Sequence, residues 1–139
     1  MQDFKKWNLD TFYQWAGLEI VEFRPGYTKI LLHVEAHHRG GGGTNAINGG
    51  IVAYLFDGLL GACAVSVWDE DTIGQLTVAL NIQYLGMLVA EKQVMGEAKV
   101  VKKGKSTIFL EGWVYDETGT LCVNCNGIFR LRQKKKQAE

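Results

Sequence analysis

No sign of charge prevails in this chain. Lys and Arg number 15 against 15 for Asp and Glu in 139 residues, so the global field offers no footprint for nucleic acid or a membrane surface. Cysteine is scarce and odd in number, and Cys63, Cys122 and Cys125 argue against a disulfide framework. Cys122-Val-Asn-Cys125 has the spacing of a zinc knuckle, but no second CxxC or CxxH follows it, and in a strand-like run the two thiols point to opposite faces. Buried structural thiols are expected there. Met1 to Trp7 have no apolar stretch behind their charges, so a secretory signal is not expected and a cytoplasmic protein is. Repeats are lacking, as is an uninterrupted membrane span: Asp57, at the midpoint of the apolar residues 49–68, costs about 2.5–3.5 kcal/mol on insertion scales.

A complete phosphate-binding loop is also missing. Lys103-Gly104-Lys105-Ser106-Thr107 imitates its end, yet Lys99 stands where the first glycine of G-x-x-x-x-G-K-[ST] belongs, and a strand follows where a helix should. This excludes a nucleotide triphosphatase. It leaves Lys99, Lys102, Lys103 and Lys105 as a solvated hairpin tip or as a positive cluster able to hold a phosphate.

What is present fits one domain, long enough to bury roughly two-thirds of its unfolded surface. Asp10 to Ala16 reads as a short helix capped by Asp10. Leu18 to Phe23 and Tyr27 to Glu35 read as a hairpin around Arg24-Pro25-Gly26. The loop Ala36 to Asn45 contains four consecutive glycines, which suit either close approach to a ligand or a flexible link. In this region His37 and His38 read as solvated loop residues, and His33 as structural. Four further strands are expected at Gln75–Leu85, Gln93–Val101, Thr107–Tyr115 and Leu121–Leu131. Residues 1–129 carry 10 basic and 14 acidic side chains, whereas five basic residues crowd into 130–136. The domain is therefore set at residues 1–132, with a fraying basic tail at 133–139.

Between Arg39 and Asp69 the only formal charge is Asp57, inside the run Asn48 to Val67 of apolar and small residues. That pattern belongs to a helix buried all round. Six antiparallel strands and one such helix make an α+β domain whose sheet wraps the helix. Leu76, Val78, Leu80, Ile82 and Tyr84 alternate onto one face of their strand. Phe109 and Trp113 join Ile108 and Leu110 in giving another strand apolar residues on both faces, which a second copy of the chain would cover. A lone carboxylate in an apolar run is costly unless paired or hydrogen-bonded, so Asp57 is either a functional acid or one facing water or an interface. Asn48 is a good N-cap, and the free first-turn N–H groups of the helix it opens are donors for an oxygen that gains negative charge.

Asn48-Gly49-Gly50, six residues and Asp57 resemble the H-G-G-x6-[DE] signature of hotdog-fold acyl-CoA thioesterases, in the branch that includes phenylacetyl-CoA thioesterases. Thr77-Val-Ala-Leu-Asn81-Ile-Gln-Tyr84-Leu resembles the strand after the helix, and Gly104-Lys105-Ser106 a G-[RK]-S turn of that family. The resemblance spans residues 18–131. It implies a hotdog fold, an acyl-CoA substrate, no cofactor or metal, and a homodimer or dimer of dimers without nucleic-acid or membrane partners. Carried over by position, Asn48 opens the site and Gly49 donates its N–H to the thioester carbonyl. Asp57 is nucleophile or general base, and Thr77 positions water or the carboxylate. Gly50 and the turn Gly104, Lys105 and Ser106 lie along the bound CoA. Two positions depart from the family. Its histidine is Asn48 here, and the Asn or Gln often found six residues earlier is Gly42. A non-catalytic acyl-CoA-binding or ligand-sensing module is the alternative reading.

Helix geometry adds a constraint independent of the family. Eight steps of 1.5 Å separate Gly49 from Asp57 by about 12 Å along one helix, whereas a nucleophile and an oxyanion donor must both lie about 3 Å from one reacting centre. If both act, they come from different copies of the chain.

Overall fold

A computed structural model describes residues 4–40 and 43–135. Gly42, the second departure from the family pattern, and the end of the basic tail from residue 136 lie outside the described residues. Two short helices, α1 (Phe4–Trp7) and α2 (Thr11–Ala16), precede the hairpin of β1 (Leu18–Arg24) and β2 (Tyr27–His33). A 3-10 turn, Ala36–His38, leads to the long helix α3 (Gly49–Val65). Four strands complete the chain: β3 (Thr72–Tyr84), β4 (Gln93–Lys103), β5 (Thr107–Tyr115) and β6 (Leu121–Gln133). They form one antiparallel sheet in the order β1-β2-β4-β5-β6-β3, which wraps α3 in the hotdog arrangement. No helix among the described residues is long and apolar enough to cross a membrane.

Asp10 occupies the N-cap position of α2, but its side chain makes no capping bond. Asn8 does more to seat this end of the chain. It accepts from Ile20 N at 2.8 Å and donates to Ile20 O at 3.2 Å, replacing a strand partner at the point where β1 bulges after Ile20. The aromatic rings of Phe4 and Trp7 then pack on Phe23.

Leu55, Phe56, Leu59 and Leu60 are fully buried in the face that α3 turns to the sheet. The close approach depends on glycine at the floor. A Cβ built on Gly112 of β5 would meet Leu60 Cδ1 at 2.7 Å, and one on Gly127 of β6 would meet Leu60 Cδ2 closer still. Both glycines lie mid-strand, where glycine is conformationally unfavourable, so packing explains them. Gly127→Ala forces Leu60 aside in a filled core and is expected to lower stability by about 1–3 kcal/mol, read as a reduced urea midpoint at unchanged slope.

α3 is not buried all round. Its first turn, Gly49 and Gly50, is exposed, and Ala53, Tyr54, Asp57, Gly61 and Val65 are only half-buried along one stripe. Beside that stripe runs β3, an edge strand, where Leu76 is 50 % and Val78 55 % exposed. A bulge between Thr77 and Ala79 opposes them to Phe129 and Ile128, leaving Val78 as an extra residue. The alternating set of Leu76, Val78, Leu80, Ile82 and Tyr84 is thus broken. Thr77, paired with the buried Phe129, comes to the α3 side together with Leu80, paired with Gly127, while Leu76 turns outward opposite Arg130. On the outer face of the sheet Glu97 accepts from Tyr27 at 2.8 Å and Tyr115 at 2.9 Å, and Val101 and Phe109 remain exposed.

Candidate active site

The re-aimed Thr77 hydroxyl donates to Asp57 Oδ1 at 2.7 Å. Asp57 lies half-buried on the α3 stripe and Thr77 is exposed, so the carboxylate is both held and accessible. One turn further along α3, Gln75 donates to the Gly61 carbonyl at 2.9 Å and accepts from the Trp68 indole at 2.9 Å. These bonds clamp the edge strand to the helix on the C-terminal side of the acid.

At the other end of the stripe Asn48 caps α3. Its Oδ1 accepts from Gly50 N at 2.8 Å, and its Nδ2 donates to Gly40 O at 3.2 Å. Its own N–H donates to the His38 carbonyl at 2.8 Å. The Asn48 side chain is therefore engaged in structure on both of its polar atoms, and Gly50 N–H is engaged with it. Gly49 N–H has no hydrogen-bond partner among the described residues and opens to solvent at the positive end of the helix dipole. The Tyr84 hydroxyl closes the arrangement by donating to the Gly49 carbonyl at 2.6 Å.

His38 differs from the sequence expectation. It is fully buried, because the 3-10 turn folds its ring inward, where Nδ1 accepts from the Glu35 N–H at 3.0 Å. Burial lowers its pKa, so the ring is neutral and Nε2 carries its proton. Glu35, His37 and His38 are the one group of potential metal ligands among the described residues, with donor atoms within 4.8 Å. His38 Nδ1 already accepts from the Glu35 N–H, so His38 has only its buried Nε2 to offer that group. His37 is tied by its Nε2 to the Trp15 carbonyl at 2.9 Å, and His33 pairs with Glu19 across the hairpin at 2.9 Å. Cys63, Cys122 and Cys125 are buried free thiols, and burial pushes Cys125 up to about 11.

Gly104, Lys105 and Ser106 form the β4–β5 turn, tied down by Gly104 N–H to Thr107 O at 2.7 Å and Leu131 N–H to Ser106 O at 2.8 Å. Lys103, Lys105, Lys134 and Lys135 surround an open depression of about 420 Å³ whose acidic members are Asp69 and Asp71. Asp69 pairs with Lys103 at 3.6 Å. The fold thus joins Asp57 to Thr77 and gathers Asn48, Gly49 and Gly50 around one helix start. It keeps these two groups apart on α3 and puts the lysine-rich turn beyond the far end of the helix. Gln75 is absent from the sequence reading of this site, because it shares the face of Leu80 only through the register across the Val78 bulge.

The thioesterase superfamily model matches residues 44–123, which include both halves of the site. The chain belongs to the thioesterase superfamily. Comparison with curated protein sequences returns no match. Among solved structures, a conserved protein of Pseudomonas aeruginosa is 25% identical with a TM-score of 0.79, over 88% of this chain and 94% of that one. The PaaI protein of the E. coli phenylacetic acid degradation operon is 17% identical with a TM-score of 0.82, over 94% and 90%. A hypothetical thioesterase from Streptococcus pneumoniae, solved with coenzyme A, is 17% identical with a TM-score of 0.74, over 86% and 88%.

Proposed function

We propose that this thioesterase-superfamily protein hydrolyses acyl-CoA to free acid and CoA, at sites shared between two copies of the chain. One observation carries the reading: an accessible carboxylate fixed by Thr77 at 2.7 Å and an uncommitted Gly49 N–H share one continuous helix, too far apart to meet within it. A second copy supplies the missing half. The β3 edge supports this, since it is long, apolar and unpaired on one side. So does the adjoining segment, where Leu85 and Val89 are exposed and Met87 is 64 % exposed.

In the reaction, Gly49 N–H of one copy polarises the thioester carbonyl and holds the oxygen as it becomes negative. Asp57 of the other either takes a proton from the water that attacks the carbonyl carbon, or attacks that carbon itself. The carbon–sulfur bond breaks in either route and CoA leaves as its thiolate. After direct attack, water then hydrolyses the acyl anhydride on Asp57, which releases the acid and restores the carboxylate. Lys105, Lys134 and Lys135, which have no ion-pair partner among the described residues, suit the phosphates of the CoA nucleotide. Three free buried thiols fit a cytoplasmic location. The specific observation behind the alternative, a non-catalytic acyl-CoA-binding module, is Asn48. Its side chain is engaged as a cap and carries no proton to exchange, unlike the histidine at that position in the family signature.

Thiol release measured over short, long and aromatic acyl-CoAs tests the reading. Turnover with at least one class is expected, and saturable binding without thiol release would establish the alternative. Thioesters of dephospho-CoA, which lack the 3′-phosphate, are expected to show KM raised about tenfold at little-changed kcat, and an unchanged KM would remove the lysines from the substrate site.

A further inference from the structure

Tyr84 carries no step of the chemistry above, yet it touches the residue that does. Its ring lies against Gly49 so closely that a Cβ built there would sit 3.5 Å from Cε1, Cζ and the hydroxyl oxygen, and its phenol donates to the Gly49 carbonyl at 2.6 Å. Glycine has no side chain to restrict its backbone. The orientation of Gly49 is therefore set by what holds the peptides on either side of it. On the N-terminal side, the Asn48 N–H is fixed to His38 O and the Asn48 side chain to Gly40 O and Gly50 N–H. On the C-terminal side, the Tyr84 phenol is the side-chain group that grips the Gly49 carbonyl. The bulge at Val78 gives β3 the register that delivers this hydroxyl to the helix start, as it delivers Thr77 to Asp57. Burial raises the Tyr84 pKa, so the phenol remains a donor at neutral pH.

We propose that Tyr84 is the positioning residue of the oxyanion site: by anchoring the Gly49 carbonyl it fixes the residue whose free N–H faces the thioester oxygen. This rests on the reading of Gly49 as the oxyanion donor. A donor aimed at charge that develops only in the transition state contributes to kcat rather than to KM. The ring and the hydroxyl are separable, because Tyr84→Phe keeps the contact with Gly49 and removes only the hydrogen bond.

The test compares Tyr84→Phe with the wild-type dimer. We expect kcat to fall about tenfold to a hundredfold, as misplacement of a reacting group does, with KM within about twofold. The Gly49 amide resonance should shift. A purely structural hydroxyl would lower the melting temperature while leaving kcat per folded site intact, and that result overturns the proposal. An unchanged Gly49 resonance overturns it as well, whatever happens to kcat. If the wild-type protein releases no thiol from any acyl-CoA, the catalytic reading fails by itself, and the Gly49 amide in Tyr84→Phe still decides whether the phenol positions the residue.

Discussion

An Asp57→Asn protein is expected to keep its fold and lose hydrolysis. Thr77 Oγ1 donates to Asp57 Oδ1, and the amide oxygen of asparagine accepts the same bond in the same place. The side chain is half-buried and nearly isosteric, so stability should change by less than about 1 kcal/mol. What disappears is the basic or nucleophilic oxygen. A positioned general base is worth about 10²–10⁴ in rate, and a carboxylate that attacks directly has no substitute in asparagine. The expected result is kcat lower by about 10³-fold or more, at an unchanged melting temperature and unchanged acyl-CoA affinity. Near-normal turnover would remove Asp57 from the mechanism, and loss of affinity alongside loss of turnover would recast it as a binding residue.

Much of this site is legible in the sequence, and the parts that are not have local causes. Alternation of apolar residues marks the strands, and the near-absence of charge from Asn48 to Val67 marks the helix they wrap. The spacing of Gly49 and Asp57 already separates the two halves of the chemistry. Strict alternation fails at Val78, where one extra residue reverses the parity of Gly74 to Thr77 relative to the rest of the strand. Read without the bulge, Thr77 lies on the face opposite Leu80. With it, both face α3, and Thr77 reaches the acid. A bulge of this kind leaves no mark in composition, because Val78 suits either face of an edge strand. His38 escaped for a different reason. Its burial follows from a 3-10 turn in which Glu35 N–H reaches back to the ring, a bond that hydrophobic periodicity cannot report. Asn48 stands where the family signature has histidine, and its two side-chain bonds make it a clamp beside the exposed Gly49 N–H.

That donor can be deleted with little else disturbed. Gly49 is the first residue of α3, the position at which proline is tolerated because its missing N–H has no helical partner. The preceding residue, Asn48, stands at φ −59° and ψ 135°, within the region that proline imposes on its neighbour. A Cβ at Gly49 meets Tyr84 at ordinary contact distance. Gly49→Pro should therefore fold and dimerise while removing one N–H, with kcat lowered by about 10²–10³, the cost of losing one oxyanion donor. Mixing this variant with Asp57→Asn then asks where the two groups meet. After subunits exchange, half of the dimers are mixed, and in each of these the Gly49 N–H of one copy faces the Asp57 carboxylate of the other at one of the two sites. Activity should recover to about a quarter of the wild-type level from two nearly inactive preparations. If donor and acid served one site within a single chain, every site in every mixed dimer would still lack one of them, and no activity would return.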